Sequence, residues 1–345
     1  MVALFTVTYG ISTPLAAYGV FLPVFAEVFG WSRGAISTAL SVNLLLGGVA
    51  GFAIGALADR HGPRVMLVAT LALAGTAFAF VSMVDALWQL YLFVGVLGGV
   101  GMSSFYLLGT TTVTRWFGAR RGLALALVLV GFNLGYISAG PLAAWLIEKL
   151  GWRGAYALLG GGCGLITMVA ALTVRLPRAD ETDAPVVARQ EASHAGPGVT
   201  LADALADPRQ WSLNVAWLLL GGLALMVSVH IVPFAHDQGI GLAGASLALT
   251  AYGVGAVSGR IASGVVSDRL GTFAAIRAGY VLQLVALLLL LLLSSRAALG
   301  PAAAGFLYDV TGSYTVPFGA APFVVVASWG LFALGSSRRP RDRRW

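Results

Sequence analysis

One arginine lies inside a long apolar stretch of the chain, where its side chain could bind an anion. Arg260 occurs in the sequence GVGAVSGRIASGVVSDRLG, residues 253–271, eight residues before Asp268. Eight residues of helix extend about 12 Å, so this guanidinium is well separated from the charged end of the stretch. Guanidinium groups bind carboxylates through two parallel hydrogen bonds and stay protonated at physiological pH. The pattern predicts that Arg260 is a fixed cation that binds a small carboxylate. The alternative is that the Arg260 side chain extends to the membrane surface.

Other polar side chains inside apolar runs are candidates for contacts with such an anion. They are Tyr106, Asn133, Tyr136, His230 and Tyr252. Tyr and Asn donate hydrogen bonds to carboxylates, and a His can also exchange a proton near neutral pH. For each of them the alternative is structural, namely a hydrogen bond to a neighbouring helix. We predict substrate contacts for all five.

Residues for enzyme or metal chemistry are not grouped in this sequence. The four histidines, at positions 61, 194, 230 and 236, are too scattered for a metal-ligand cluster, and no HExxH-like spacing occurs. The single cysteine, Cys163, excludes an intrachain disulfide framework. We therefore predict no catalytic residues, no metal, no cofactor and no enzyme activity. A sensor would need a soluble output domain, and the longest polar segment covers only residues 175–209.

The composition is that of a polytopic membrane protein. Of 345 residues, 58% are hydrophobic and only 10% are charged. Apolar runs of about 20 residues, the length that crosses a bilayer, recur along the chain, and their continuity favours helices over a barrel. The sequence thus predicts an all-α membrane protein. Its predicted spans are 3–26, 35–57, 65–83, 88–113, 122–146, 153–174, 212–234, 243–266, 274–294 and 315–335.

The distribution of positive charge predicts the orientation. The net charge is +7, but the basic residues occur in short loops between apolar runs, which argues against nucleic-acid binding. With the N-terminus in the cytoplasm, most of the 21 Lys and Arg residues fall on the cytoplasmic side. We expect a multi-pass protein of the inner or plasma membrane with both termini cytoplasmic. The basic residues expected outside are Arg33, Lys149, Arg153 and Arg296.

An internal repeat predicts two parallel bundles. Shifting the sequence by 209 positions aligns residues 30–62 with 239–271 without a gap, and nine of 33 positions are identical. Two parallel halves joined by a cytoplasmic linker are typical of secondary transporters. The predicted parts are an N-terminal six-helix bundle at 1–174, a cytoplasmic linker at 175–209, a shortened C-terminal bundle at 210–337 and a basic cytoplasmic tail at 338–345.

The sequence GALADRHGPR, residues 55–64, resembles the loop between spans two and three of the major facilitator superfamily. The resemblance implies the two-bundle fold of that superfamily, and it implies a cytoplasmic gate at this loop. The alternative is a charged turn that only fixes topology. The gating residues implied by the resemblance and by the repeat are Gly55, Asp59, Arg60, Gly62, Arg64, Asp268 and Arg269.

Five further blocks look like the monocarboxylate and oxalate/formate-type transporters, in the expected order: 18–37, 114–141, 151–161, 229–240 and 300–318. The resemblance implies transport of small organic anions by alternating access. It also implies that Arg260, in the pattern R-x-x-x-G with Gly264, binds the substrate carboxylate. The repeat aligns Arg260 with Gly51, a position suited to close helix packing in the first half.

The sequence also departs from this family. Many eukaryotic members carry an aspartate one turn before the arginine, where this chain has Ala256, and a lysine in the first span, which has none here. Proton symport through a buried carboxylate is therefore unsupported, and anion exchange and uptake of a protonated acid both stay open. A drug/proton antiporter of the same superfamily would need a titratable acid within the membrane, and the predicted spans contain none centrally.

The resemblance implies twelve spans, whereas the sequence predicts ten and a fragment. The apolar run at 297–308 is too short to cross a bilayer. We therefore expect span ten and half of span eleven to be missing. A transport-impaired member of the family is accordingly an alternative function.

Overall fold

A computed structural model describes residues 2–116, 121–174, 206–293 and 315–337, which form helices joined by short turns, with no strand among them. The α-helices are α1 Val2–Phe29, α2 Arg33–His61, α3 Pro63–Phe80, α4 Leu87–Leu90, α5 Gly98–Met102, α6 Phe105–Trp116, α7 Arg121–Tyr156, α8 Cys163–Thr173, α9 Pro208–Asp237, α10 Leu242–Leu270, α11 Thr272–Leu293 and α12 Thr315–Ser337. The prediction of an all-α protein is confirmed. The fragment at 297–308, the tail at 338–345 and all but the last four residues of the predicted linker lie outside the described residues.

The long helices coincide with the apolar runs because a backbone in lipid must satisfy its hydrogen bonds internally. Within the described ranges, six helical segments are long and apolar enough to cross a membrane, and three shorter apolar helices accompany them. The shorter ones are Leu87–Met102, Thr272–Leu288 and Ala321–Leu334. These helices indicate an integral multi-pass membrane protein, and the count of ten spans stays a prediction.

The repeat seen in the sequence has matching turns in the structure. Gly30 and Gly239 precede α2 and α10 with φ of 67° and 83°, and Gly62 and Gly271 follow these helices, each with φ of 87°. Residues other than glycine are strained at these angles, so glycine occupies the equivalent turn in both repeats. The repeated glycines therefore fix the turns at both ends of α2 and α10.

The fourth predicted span, 88–113, is not one regular helix. It begins with α4, continues as a π-helix over Tyr91–Leu97 and then as α5, and turns at 103–104 before α6. The Asn43 side chain on α2 donates a hydrogen bond of 2.7 Å to the backbone oxygen of Val94 in the π-helix. Insertion of a side-chain donor into a helical ladder is a known cause of such irregularity.

The helices group into two compact units. The first comprises residues 1–191 and 228–258, and the second comprises 192–227 and 259–345. The boundary between them falls inside α9 and α10, so each of these helices contributes to both units. The bundle boundaries expected from the sequence stay a prediction.

Close glycine contacts and aromatic packing form the core of the first unit. A Cβ atom on Gly75 of α3 would lie 2.7 Å from the Cα of Gly164 on α8, so these helices touch through their backbones. Phe21 packs on Tyr156 with ring centroids 4.4 Å apart. Small residues at helix crossings and buried aromatic rings beside them are typical of packing in a membrane.

Aromatic residues also pack in the second unit. The Tyr280 ring on α11 lies 5.2 Å from the Trp329 ring on α12, centroid to centroid. The Ser328 hydroxyl lies 3.0 Å from the Tyr280 hydroxyl and donates to the backbone oxygen of Ala216 on α9, at 2.9 Å. This chain of hydrogen bonds joins three helices of the unit and occupies the buried polar groups between them.

Candidate functional site

Arg260 lies on α10, in the part of that helix that belongs to the second unit, and its side chain is exposed. Its guanidinium makes no hydrogen bond or ion pair with any residue in the described ranges. A Cβ atom on Gly259 or Gly264 would have no heavy atom within 4 Å beyond its own helix and its chain neighbours. The guanidinium thus has open space beside it and no protein counterion among these residues.

The repeat-related position has the opposite character. Gly47 and Gly51 lie on α2, and a Cβ atom on Gly47 would be 3.1 Å from the backbone oxygen of Gly99 on α5. A Cβ atom on Gly51 would be 3.9 Å from the backbone oxygen of Ser103. The close crossing is therefore at Gly47, whereas Gly51 makes only an ordinary van der Waals contact, and the second repeat has a cation at the position equivalent to Gly51.

Three of the polar candidates lie together in the first unit, where α7 crosses α10. The rings of Tyr136 and Tyr252 are 5.9 Å apart between centroids. Thr250 donates a hydrogen bond of 2.7 Å to the backbone oxygen of Ile137, which ties the two helices at this level. Asn133 is buried and its amide donates to the backbone oxygen of Leu129 on its own helix, at 3.2 Å.

The other two polar candidates have different positions. The backbone of Tyr106 belongs to α6, and its side chain lies outside the described residues. His230 is fully buried on α9, and its Nε2 atom lies 3.4 Å from the hydroxyl of Ser37 on α2. The donor in this hydrogen bond depends on the tautomer of the ring. His230 therefore contacts α2.

An ion pair lies two turns further along α9. The two terminal nitrogens of Arg33 donate to the two carboxylate oxygens of Asp237, at 2.6 and 2.7 Å. Relative side-chain exposure is 14% for Arg33 and 24% for Asp237, so water only partly screens the pair. Bidentate geometry at this exposure makes the pair stronger than most surface ion pairs.

Helix α1 joins α2 and α9 beneath the ion pair. The Tyr18 hydroxyl on α1 donates to the backbone oxygen of Ile36 at 2.6 Å. A Cβ atom on Gly19 would lie 2.6 Å from the backbone oxygen of Val229, so α1 and α9 touch directly. The end of α9 is therefore held against α1 by close packing, and against α2 by the contact of His230 with Ser37 and by the ion pair.

The loop that resembles a cytoplasmic gate is exposed. Asp59 and Arg60 form no ion pair with the residues that the structure describes, whereas Arg64 donates to the backbone oxygen of Leu172 at 2.5 Å. That oxygen is in the last turn of α8, where a cation is favoured by the helix dipole. Arg269 is exposed, and the side chain of Asp268 lies outside the described residues. Across the described ranges, no group of three His, Cys, Asp or Glu side chains could hold a metal ion.

The fold, the repeat and the loop at 55–64 agree with one family. The family model of the Major Facilitator Superfamily matches residues 1–298. The chain belongs to the Major Facilitator Superfamily. This match confirms the resemblance stated from the sequence. Members of this superfamily are membrane transporters rather than enzymes.

Relatives of this facilitator chain include proteins named as monocarboxylate transporters and as an oxalate:formate antiporter. It is 31% identical over 265 residues to "Monocarboxylate transporter 11" of Homo sapiens, which covers 76% of this chain and 54% of that protein. It is 24% identical over 244 residues to the "Oxalate:formate antiporter" of Oxalobacter formigenes, covering 71% of this chain and 57% of that one. The chain thus spans little more than half the length of these relatives.

Solved structures of facilitators have the same fold. A bacterial homologue of the human lysosomal transporter Spinster superposes with a TM-score of 0.65 at 16% identity, over 98% of this chain and 76% of that one. A D-xylose–proton symporter gives a TM-score of 0.63 at 14% identity, over 96% and 87%. These likenesses support the facilitator fold.

The sequence did not reveal the pairing of Arg33 with Asp237. In the sequence, Arg33 is only one of the basic residues expected outside, and Asp237 is an acid at the end of an apolar run. The repeat offered a signal, because Gly30 and Gly239 place both residues beside equivalent turns of this facilitator. Opposite charges beside two equivalent turns were therefore a signal in the sequence for this ion pair.

Proposed function

We propose that the chain is a secondary active transporter of small, monocarboxylate-like organic anions, and that it works by alternating access with Arg260 as the carboxylate ligand. The observation that carries the proposal is the guanidinium of Arg260, which has no counterion among the described residues. Arg260 lies ten residues from the nearer end of α10, which is about 15 Å. At such a position Arg costs about 2.5–3.5 kcal/mol to insert, and a cation is retained there for a function.

The names of the relatives support the substrate class. Relatives of this chain are called monocarboxylate transporters and an oxalate:formate antiporter. A carboxylate is the anion that a guanidinium binds through two parallel hydrogen bonds. Tyr106, Asn133, Tyr136, His230 and Tyr252 are proposed as secondary contacts, and the loops around Asp59 and Asp268 are proposed as the cytoplasmic gate.

The positions of the acidic residues bear on the coupling. Within the described ranges, every Asp and Glu lies within three residues of a helix end, a turn or the kink at Gly151. A carboxylate proton carrier at the middle of a span is thus absent from those ranges. Exchange of anions and uptake of a protonated acid are the two modes to test. A drug/proton antiporter is the less favoured reading because such a carrier needs a titratable acid.

The proposal is tested by uptake into proteoliposomes. Labelled lactate, pyruvate, oxalate, formate and larger dicarboxylates are offered with and without an internal anion and a pH gradient. We expect saturable uptake of at least one small carboxylate. Arg260→Gln should raise its KM about 100-fold or abolish uptake, because loss of one partner of a charge pair costs about 2–5 kcal/mol. Arg209→Gln, which removes a partly exposed charge elsewhere in the second unit, should leave uptake unchanged.

Three results would contradict the proposal. Uptake that is unchanged in Arg260→Gln would exclude this residue as the substrate ligand. Absence of uptake by the intact chain, together with carboxylate binding that Arg260→Gln removes, would indicate the transport-impaired alternative. Uptake of hydrophobic cations in exchange for protons would favour the drug antiporter.

A further inference from the structure

The second unit contains an apolar groove with one cation at its end. The groove lies between α11 and α12 and has a volume of about 280 Å³. Its lining residues are Arg277, Tyr280, Val281, Leu284, Val325, Val326 and Trp329. Arg277, Val281 and Leu284 follow one another at helical spacing along a single face of α11. Val281 and Val326 are more than half exposed, so the groove opens to the outside of the protein.

Arg277 is the available polar group of this groove. The hydroxyl of Tyr280 is already bonded to Ser328, whose own hydroxyl donates to the backbone oxygen of Ala216. The Arg277 guanidinium makes no hydrogen bond or ion pair with any residue that the structure describes. The groove therefore has five donors at one end and apolar walls along the rest.

Ring contacts define which end of the unit carries Arg277. Phe332, near the end of α12, lies 6.3 Å from Phe273 in the first turn of α11. The two helices therefore run antiparallel, and the start of α11 lies beside the end of α12. Arg277 is five residues from the start of α11, which is about 8 Å. That distance places the guanidinium near a membrane surface, at the level of lipid headgroups.

Basic residues adjoin these two helix ends in the sequence. Arg269 is exposed just before the turn at Gly271 that leads into α11. The sequence RRPRDRRW follows Ser337, the last residue of α12, and contains five arginines against one aspartate. Arginine clusters next to the end of a membrane helix, and basic pockets between such helices, attract anionic lipid headgroups. The apolar walls run from Arg277 towards the middle of the membrane, which is the course of an acyl chain.

We propose that this groove binds an anionic phospholipid, with the phosphate on Arg277 and an acyl chain along Val281, Leu284 and Val326. The proposal is independent of the transported anion. A zwitterionic lipid offers the same acyl chains without net negative charge, so the groove should distinguish the two lipids by headgroup charge.

The test measures lipid retention by the purified full chain. The protein in detergent is mixed with phosphatidylglycerol and phosphatidylcholine of identical acyl chains, and bound lipids are counted by native mass spectrometry. We expect preferential retention of phosphatidylglycerol, and we expect Arg277→Gln to weaken that preference about fivefold, the effect of one basic residue at a membrane surface. Arg277→Lys should keep most of the preference. Arg209→Gln, which makes the same change of net charge on α9, should keep all of it.

A second variant tests the acyl-chain part of the groove. Val326→Phe fills the groove and leaves Arg277 in place, and it should release phosphatidylglycerol without affecting the thermal unfolding temperature measured in lipid-free detergent. Equal retention of the two lipids by the unaltered chain would overturn the proposal, as would an unchanged preference in Arg277→Gln. Binding of inorganic phosphate alone, as tight as that of phosphatidylglycerol, would assign the site to a free anion instead.

Discussion

The guanidinium of Arg33 holds both carboxylate oxygens of Asp237, at 2.6 and 2.7 Å, and so joins the start of α2 to the end of α9. The two residues are 204 positions apart in the chain. Beneath them, Ser37 and His230 form a second contact between the same helices. Under the proposed alternating-access mechanism, contacts of this kind would break and re-form, so they are natural targets for variants.

Breaking the ion pair should expose the buried layer beneath it. In Asp237→Asn the charge pairing is lost, and we expect a thiol placed at Ser37 to react about fivefold faster with a water-soluble maleimide, in a Cys163→Ser background. The factor corresponds to about 1 kcal/mol, the upper value for exposed pairs. Arg33→Asp combined with Asp237→Arg should restore slow labelling. Arg153→Gln breaks a more exposed ion pair with Asp85, also at 2.6 Å, and serves as the control; equal acceleration there would contradict a specific role for Arg33.

Removing the Ser37 hydroxyl, one of the partners of the buried histidine, should lower stability. Ser37→Ala deletes the hydroxyl that lies 3.4 Å from His230 Nε2, and both residues are fully buried. Loss of a hydrogen bond from a buried polar group costs about 1–3 kcal/mol, so the thermal unfolding temperature should fall. Ser37→Thr keeps the hydroxyl and should recover part of the loss. An unchanged unfolding temperature in Ser37→Ala would show that this contact is dispensable.

The crossing of α3 and α8 should not tolerate a methyl group. In Gly75→Ala the new Cβ would lie 2.7 Å from the Cα of Gly164, so the helices must separate. Overpacking of this kind costs about 1–3 kcal/mol, which thermal unfolding in detergent would detect. Gly162→Ala is the matched control, because its Cβ would have nothing within 4 Å. If both variants unfold at the same temperature, the close crossing is not a source of stability.

The predicted orientation can be tested with the same cysteine-free chain. Single cysteines at His61 and Gln238 lie at opposite ends of the repeated helices, and both positions are exposed. Because basic loops remain in the cytoplasm, an impermeant thiol reagent added to intact cells should label position 238 and not position 61. Permeabilised cells should label both and serve as the control. The reverse pattern would invert the proposed topology.

Several features of the protein follow from its sequence. Continuous apolar runs specify helices, because no other open structure satisfies the backbone in lipid, and the turns at Gly62 and Gly271 repeat because their positive φ needs glycine. The family could also be read from local patterns such as GALADRHGPR. The cation at Arg260 is likewise visible in the sequence, since an arginine among apolar residues is rare.

Only the tertiary structure decided which distant residues meet. The pairing of Arg33 with Asp237, the contact of Tyr136 with Tyr252 and the bond from Asn43 that accompanies the irregular fourth span all join separate helices. A helix determines which face a residue occupies, but the crossing of two helices depends on the shapes of both. The sequence therefore predicted the helices and their charges, whereas packing determined the partner of each side chain and left Arg260 and Arg277 without a counterion among the described residues.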